Sequence, residues 1–256
     1  MIRLPAFFLL SALFLFAACA STEKESPVRE IQRGEDVLTA MHDAYSGDWF
    51  ETMTFVQTTI QHGPGGTTDT TLWYEALDLP GRLRIDIGEP DSGDMWLFRG
   101  DSIYIFTGGQ LTQSGPTLHP LLLLGFDIYH EDPGVLASRM DSLGFDLARV
   151  HRTIWQEREV FVVGADEGDL TANQFWVDAE RLLFVRLLQR QGASYQDVRF
   201  ESYEPLGDAW VAPVVTFRVD STLTLEERYG DMRHGITFSD GFFEPDRALS
   251  AAHWAQ

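Results

Sequence analysis

The sequence predicts an α+β domain built on one large antiparallel sheet. Three observations predict it: an amphipathic helical stretch opens the folded part, a leucine-rich helical stretch interrupts its middle, and each is followed by short β-like runs separated by turn residues. The chain has 256 residues, 44% of them apolar, and a formal charge of −20. The apolar share excludes a disordered polymer, and the acidic balance excludes a nucleic-acid partner held on a basic face. The one cysteine, Cys19, leaves no intramolecular disulfide framework and no thiolate metal cluster.

Residues 1–18 read as a lipoprotein signal peptide. Arg3 supplies a positive start, and the apolar run from Leu4 to Ala18 is cut off by Ser21-Thr22-Glu23-Lys24-Glu25. That is short of the ~20 apolar residues a membrane span needs. Phe16-Ala17-Ala18-Cys19 resembles the bacterial lipobox, with Phe16 at the position where Leu is usual. The resemblance implies cleavage before Cys19 and acylation of that cysteine, which makes the membrane a partner. Three acyl chains, at ~0.8 kcal/mol per buried methylene, form an effectively permanent anchor. Residues 19–33 are expected to be the lipidated cysteine followed by a polar, unpatterned, flexible tether. Ala20, where an aspartate favours inner-membrane retention, resembles the outer-membrane-directed class. The expected location is therefore the bacterial cell envelope, at the outer membrane facing the periplasm.

Residues 34–256 are expected to form a single domain, because a chain of this length buries one substantial core. Val37, Leu38, Met41, Ala44 and Tyr45 recur at helical spacing over 34–45, and Gly47 supplies a stop. Strands are predicted at 51–61, 70–77, 82–87, 94–99 and 102–107, and Gly108-Gly109 reads as a hairpin turn. In 82–87 Arg82, Arg84 and Asp86 alternate with Leu83, Ile85 and Ile87, which predicts one wet and one buried face. Over 94–106 Trp96, Phe98, Tyr104 and Phe106 stand among other bulky residues on both faces. Either both sides are covered there or one lines a cavity. Leu118, Leu121, Leu122, Leu123, Leu124 and Phe126, then Val135, Leu136, Met140 and Leu143 after Pro133, predict two short helices within 117–147. Strands resume at 150–156, 159–164, 172–178, 182–190, 194–204, 210–219 and 222–229, with a short final segment near 236–243. So large an antiparallel sheet must curl to bury its apolar side.

Leu72-Trp73-Tyr74, Leu79-Pro80-Gly81-Arg82-Leu83-Arg84-Ile85-Asp86, Pro90 and the run Leu97 to Phe106 resemble the first half of the outer-membrane lipoprotein-sorting family, which includes the periplasmic carrier LolA and the receptor LolB. Phe175-Trp176-Val177-Asp178-Ala179-Glu180, Leu182 to Leu188 and Gly241-Phe242-Phe243-Glu244-Pro245 agree with its second half in layout. The likeness spans about 34–246 and rests on order and spacing. It implies a strongly curved sheet, an incomplete β-barrel, closed by the N-terminal helix and a central helical lid, with an apolar hollow that takes acyl chains. The apolar excess at Trp96, Phe98, Tyr104 and Phe106 is expected to line that hollow, and Leu121, Leu122, Leu124 and Phe126 of the leucine-rich stretch to form its lid. Two positions depart from the family. Leu79 stands where the carriers have an arginine that helps close the lid, and the loop Gly88-Glu89-Pro90-Asp91-Ser92 is acidic where the receptor exposes a leucine.

Catalytic readings find little support. The seven histidines form no His-x-His or His-Glu-x-x-His pair, and no nucleophile elbow, P-loop or dinucleotide fingerprint occurs. The acidic runs Asp86 to Asp94 and Glu226-Glu227 with Asp231 lack calcium-loop spacing and read as solvated loops. Asp127 and Glu131 form a carboxylate pair of the kind that many acids bring by coincidence. No cofactor, metal or enzyme activity is expected. The sequence points to a binding protein for acyl chains of lipids or lipoproteins, with an envelope sensor or assembly module that meets a protein partner as the alternative.

Overall fold

The computed structural model describes residues 30–255. The expected leader, Cys19 and the tether up to residue 29 lie outside them. Helix α1 (Gly34–Tyr45) has the predicted bounds. The Asp36 carboxylate accepts the backbone N–H groups of Gln32 and Arg33 at 3.1 and 3.0 Å, which satisfies donors at the helix start. Val37, Leu38 and Met41 lie fully buried on its inner face. A Cβ on Gly34 would stand 2.5 Å from Val163 Cγ1, so glycine is what lets the helix start close to the sheet.

The chain then runs through β1 (Thr52–His62), β2 (Thr68–Asp78), β3 (Arg82–Ile87), β4 (Met95–Arg99), β5 (Ser102–Thr107) and β6 (Gln110–Pro116) as an antiparallel meander. Helix α2 (Pro120–Gly125), a 3-10 turn at Asp127–Tyr129 and α3 (Pro133–Ser142) follow. A second meander comprises β7 (Val150–Trp155), β8 (Arg158–Val163), β9 (Gln174–Asp178), β10 (Phe184–Gln191) and β11 (Ser194–Glu201). After a small hairpin of β12 (Glu204–Leu206) and β13 (Ala209–Val211) come β14 (Val214–Val219) and β15 (Thr222–His234).

One sheet of 13 strands results, ordered β6-β5-β4-β3-β2-β1-β15-β14-β11-β10-β9-β8-β7. The pairing of β1 with β15 joins the two meanders, and β6 and β7 are left as edges. The fold is thus α+β with an open, curved sheet, as the sequence predicts. The helical insertion α2–α3 carries the chain from one edge strand to the other, so it bridges the open side of the curl. Packing of α1 and the insertion against the concave face forms the main core.

Several expectations are corrected. Asp86 and Arg84 do not face water: both are buried, because residues 238–254 fold back over the convex face of β2–β5. Arg84 forms a two-pronged pair with Asp86 at 2.8 and 2.9 Å and donates to the Ala248 carbonyl at 2.8 Å, while His253 Nε2 meets Asp86 at 3.1 Å. Residues 236–243 form no strand; Gly241 adopts φ +82° in a turn, and Phe238 stacks on Phe242 while Phe243 meets both edge-on, against the sheet. The predicted strands 194–204 and 210–219 each break. Ser202, at φ +62°, ends the first, and Pro213, which has no N–H for a ladder, divides the second.

Candidate functional site

The concave face has a filled part and an unfilled part. Alternation along β1 turns Phe55, Gln57 and Thr59 to one side, and the register sets Glu75 opposite Phe55, Trp73 opposite Gln57, and on the other flank Tyr229 opposite Gln57 and Glu227 opposite Thr59. These residues share the concave face. Phe55, Trp73, Glu75, Glu227 and Tyr229, with Leu83 and Ile85 of β3, Trp96 and Phe98 of β4, and Val215 and Phe217 of β14, surround a cavity of about 400 Å³. Its cover is His119, Leu121, Leu122 and Phe126, from helix α2 and its two ends.

Each sequence-predicted site residue can now be placed. Trp96, Phe98, Leu121, Leu122 and Phe126 line the cavity together. Tyr104 and Phe106 do not. The two-residue turn at Gly100-Asp101 pairs Phe98 with Ile103, Leu97 with Tyr104 and Met95 with Phe106. Paired residues share a face, so Tyr104 and Phe106 join Met95 and Leu97 on the convex side, under the C-terminal segment. Leu124 is fully buried in the main core, turned away from the hollow by helical geometry. Cys19 lies outside the described residues.

The cover is held by specific contacts. His119 caps α2: its Nδ1 accepts the Leu122 N–H at 3.1 Å, and its ring meets the Phe98 ring edge-on at 4.7 Å. Burial pushes this imidazole down to about 4, so it is neutral at neutral pH. Asp127 is buried and accepts the Gly81 N–H at 2.8 Å, which ties the cover to the turn between β2 and β3. Burial raises its carboxyl to about 7, against the opposing pull of that hydrogen bond. Glu131, the other acid of that carboxylate pair, forms an ion pair with Arg139.

Sequence reasoning missed Trp73, Glu75, Glu227 and Tyr229. Glu227 read as part of a solvated loop, yet it sits on β15 facing the cavity. Tyr229 Oη donates to Glu227 at 3.3 Å and the ring stacks on Phe55 at 4.1 Å. Burial raises the carboxyl of Glu227 to about 7, and burial followed by repulsion from Glu227 raises that of Glu75 well above the usual carboxylate range. The pairing of β1 with both neighbours is what brings these acids together, and it is invisible until β15 is known to pair with β1.

No family model matches the sequence, and no curated protein matches it. Solved structures do. A domain of Vibrio parahaemolyticus named as an outer membrane lipoprotein-sorting protein is 14% identical, with 84% of this chain and 97% of that one covered, at a TM-score of 0.56. A DUF1329 family protein of Desulfovibrio piger, also 14% identical and with the same coverages, gives 0.55. A LolA superfamily protein of Nitrosomonas europaea gives 0.52 at 14% identity, with 84% and 98% covered. The chain therefore has the LolA-like fold: a curved, open antiparallel sheet with helices on its concave side.

Proposed function

We propose that this chain is a lipid-anchored protein of the bacterial envelope that accepts acyl chains of lipids or lipoproteins in its apolar cavity. The observation that carries this reading is the hollow itself. Its volume falls in the ~300–1,000 Å³ range of ligand sites, and its walls are mainly aromatic and aliphatic. Well-packed interiors leave few voids larger than a water molecule. The names of the LolA-like neighbours, the lipobox at Cys19 and the short cover α2 support the same reading. Binding by apolar burial, at ~25 cal/mol per Å², needs no covalent chemistry and depends little on salt. Localisation at the outer membrane and a role in lipoprotein sorting belong to this proposal.

The test is to purify the chain from a bacterial envelope and identify co-purifying lipid by native and extract mass spectrometry. Stoichiometric lipid is expected. Phe98→Asp, in the cavity, should abolish it with the fold retained, whereas Tyr104→Phe, on the convex face, should not. A ligand-free protein that also ignores added fatty alcohol and lipopeptide would overturn the proposal in favour of a module that meets a protein partner.

A further inference from the structure

The polar part of the cavity wall is not explained by acyl chains alone. Glu75 is 6% exposed, lines the hollow, and its carboxyl has no hydrogen-bond partner among the described residues. Glu227 faces the same space from β15 and accepts a hydrogen bond from Tyr229 Oη. Both carboxyls line the same hollow, from the two strands that flank β1. An unpartnered carboxyl in apolar surroundings is destabilising, whether it is ionised or protonated. A plain hydrocarbon ligand would leave that cost in place.

The charges around the hollow define which head group would remove it. Among the described residues no arginine or lysine lines the cavity, and the one imidazole in its wall, His119, is neutral and already occupied in capping α2. A carboxylate or phosphate head would thus meet two acids and no cation. An ammonium, with three N–H donors, offers a hydrogen bond to the unpartnered Glu75 carboxyl and a charge that favours the ionised forms of both acids. The apolar walls at Trp73, Trp96, Phe98 and Leu122 then suit the chain attached to it.

Resting on the reading of the cavity as an apolar-ligand site, we propose that its floor is a head-group site for amphiphiles bearing a primary ammonium, bound between Glu75 and Glu227 with the chain among the aromatic walls. The site thereby selects cationic over neutral amphiphiles and excludes anionic ones.

Calorimetric titration of the full chain with decylamine, decanol and decanoate tests this. High salt screens the general attraction of an acidic protein for any cation. Decylamine should bind roughly tenfold tighter than decanol, a difference of ~1.4 kcal/mol, and decanoate should bind weakest. In Glu75→Gln/Glu227→Gln the amine should lose its advantage while decanol still binds. Should that double variant fail to fold, Glu75→Gln alone should reduce the advantage, and the ranking in the unmodified chain decides independently. Equal binding of decylamine and decanol, tightest binding of decanoate, or an amine preference that survives the substitutions would overturn the head-group site and leave the apolar-ligand reading standing. Failure of all three probes to bind would overturn both.

Discussion

The two halves of the concave face solve the same problem differently. On the side of β8–β11, helices α1 and α3 and the 3-10 turn press large groups into the curl: Leu38, Met41, Tyr129, Phe145, Phe175 and Phe184 are each at most 2% exposed. Trp49 stacks on Tyr129 at 3.7 Å, and Tyr45 and Tyr203 donate to the Arg181 and Phe184 carbonyls at 2.6 Å. On the side of β1–β4, β14 and β15, the six-residue α2 and its flanks alone lie over the sheet among the described residues, and the hollow remains. Curvature alone creates a concavity; what decides between core and cavity is the length of helix laid into it.

The comparison is sharpest under truncation. Phe184→Ala in the filled half should lose about 3–5 kcal/mol, measured by denaturant unfolding, because the surroundings have no room to relax further. Phe98→Ala, which enlarges an existing hollow, should lose about 1–2 kcal/mol. Equal losses would mean that the two halves are packed alike. The convex face provides an independent contrast. Asp86→Ala strands the buried Arg84 guanidinium and should lose about 3–5 kcal/mol, with faster proteolysis of the segment 238–254 that covers it.

The pH dependence separates the halves through the acids of the hollow. The carboxyl of Glu227 is raised in the folded state, so the native protein binds more protons than the unfolded chain between its ordinary value and about 7. Its contribution to stability is complete below the ordinary carboxylate range and is lost as pH rises through about 7. Relative to Glu227→Gln, the unmodified chain should therefore lose on the order of 3 kcal/mol from pH 4 to pH 8, followed as a difference in Tm. Asp127, raised to about 7 by burial, has the same sign, whereas Asp197, held low by Arg186 and Arg199 against its own burial, has the opposite one. The smallest effects should come from filling. Leu122→Phe, at the hollow, should change stability by less than ~1 kcal/mol while weakening ligand binding, but Leu136→Phe in the packed half should be destabilising by ~1–3 kcal/mol.

Much of this architecture was legible in the sequence. The bounds of α1, the order strand–helix–strand and the turn at Gly108-Gly109 follow from apolar period and turn chemistry, which are local properties. Strand β6 was not, because Gln110, Thr112 and Gln113 on an edge strand carry no apolar alternation. The cavity was half legible. Trp96 and Phe98 line the cavity, and the two-residue turn at Gly100-Asp101 already implies that Tyr104 and Phe106 face the other way. That inference requires register, which aromatic content alone does not supply. Glu75 and Glu227 are 152 positions apart in the chain, and only the closure of β15 on β1 gives them a common environment.

The most direct test uses the tryptophans of the hollow. Trp73 and Trp96 meet edge-on at 5.5 Å in its wall, while Trp155 and Trp176 lie in a separate cluster. A fatty alcohol brominated along its chain should quench tryptophan emission of the full chain saturably, and Trp73→Phe/Trp96→Phe should remove most of that quenching with binding retained. Quenching that persists unchanged in the double variant would place the ligand elsewhere and contradict the assignment of the unfilled half as the binding site.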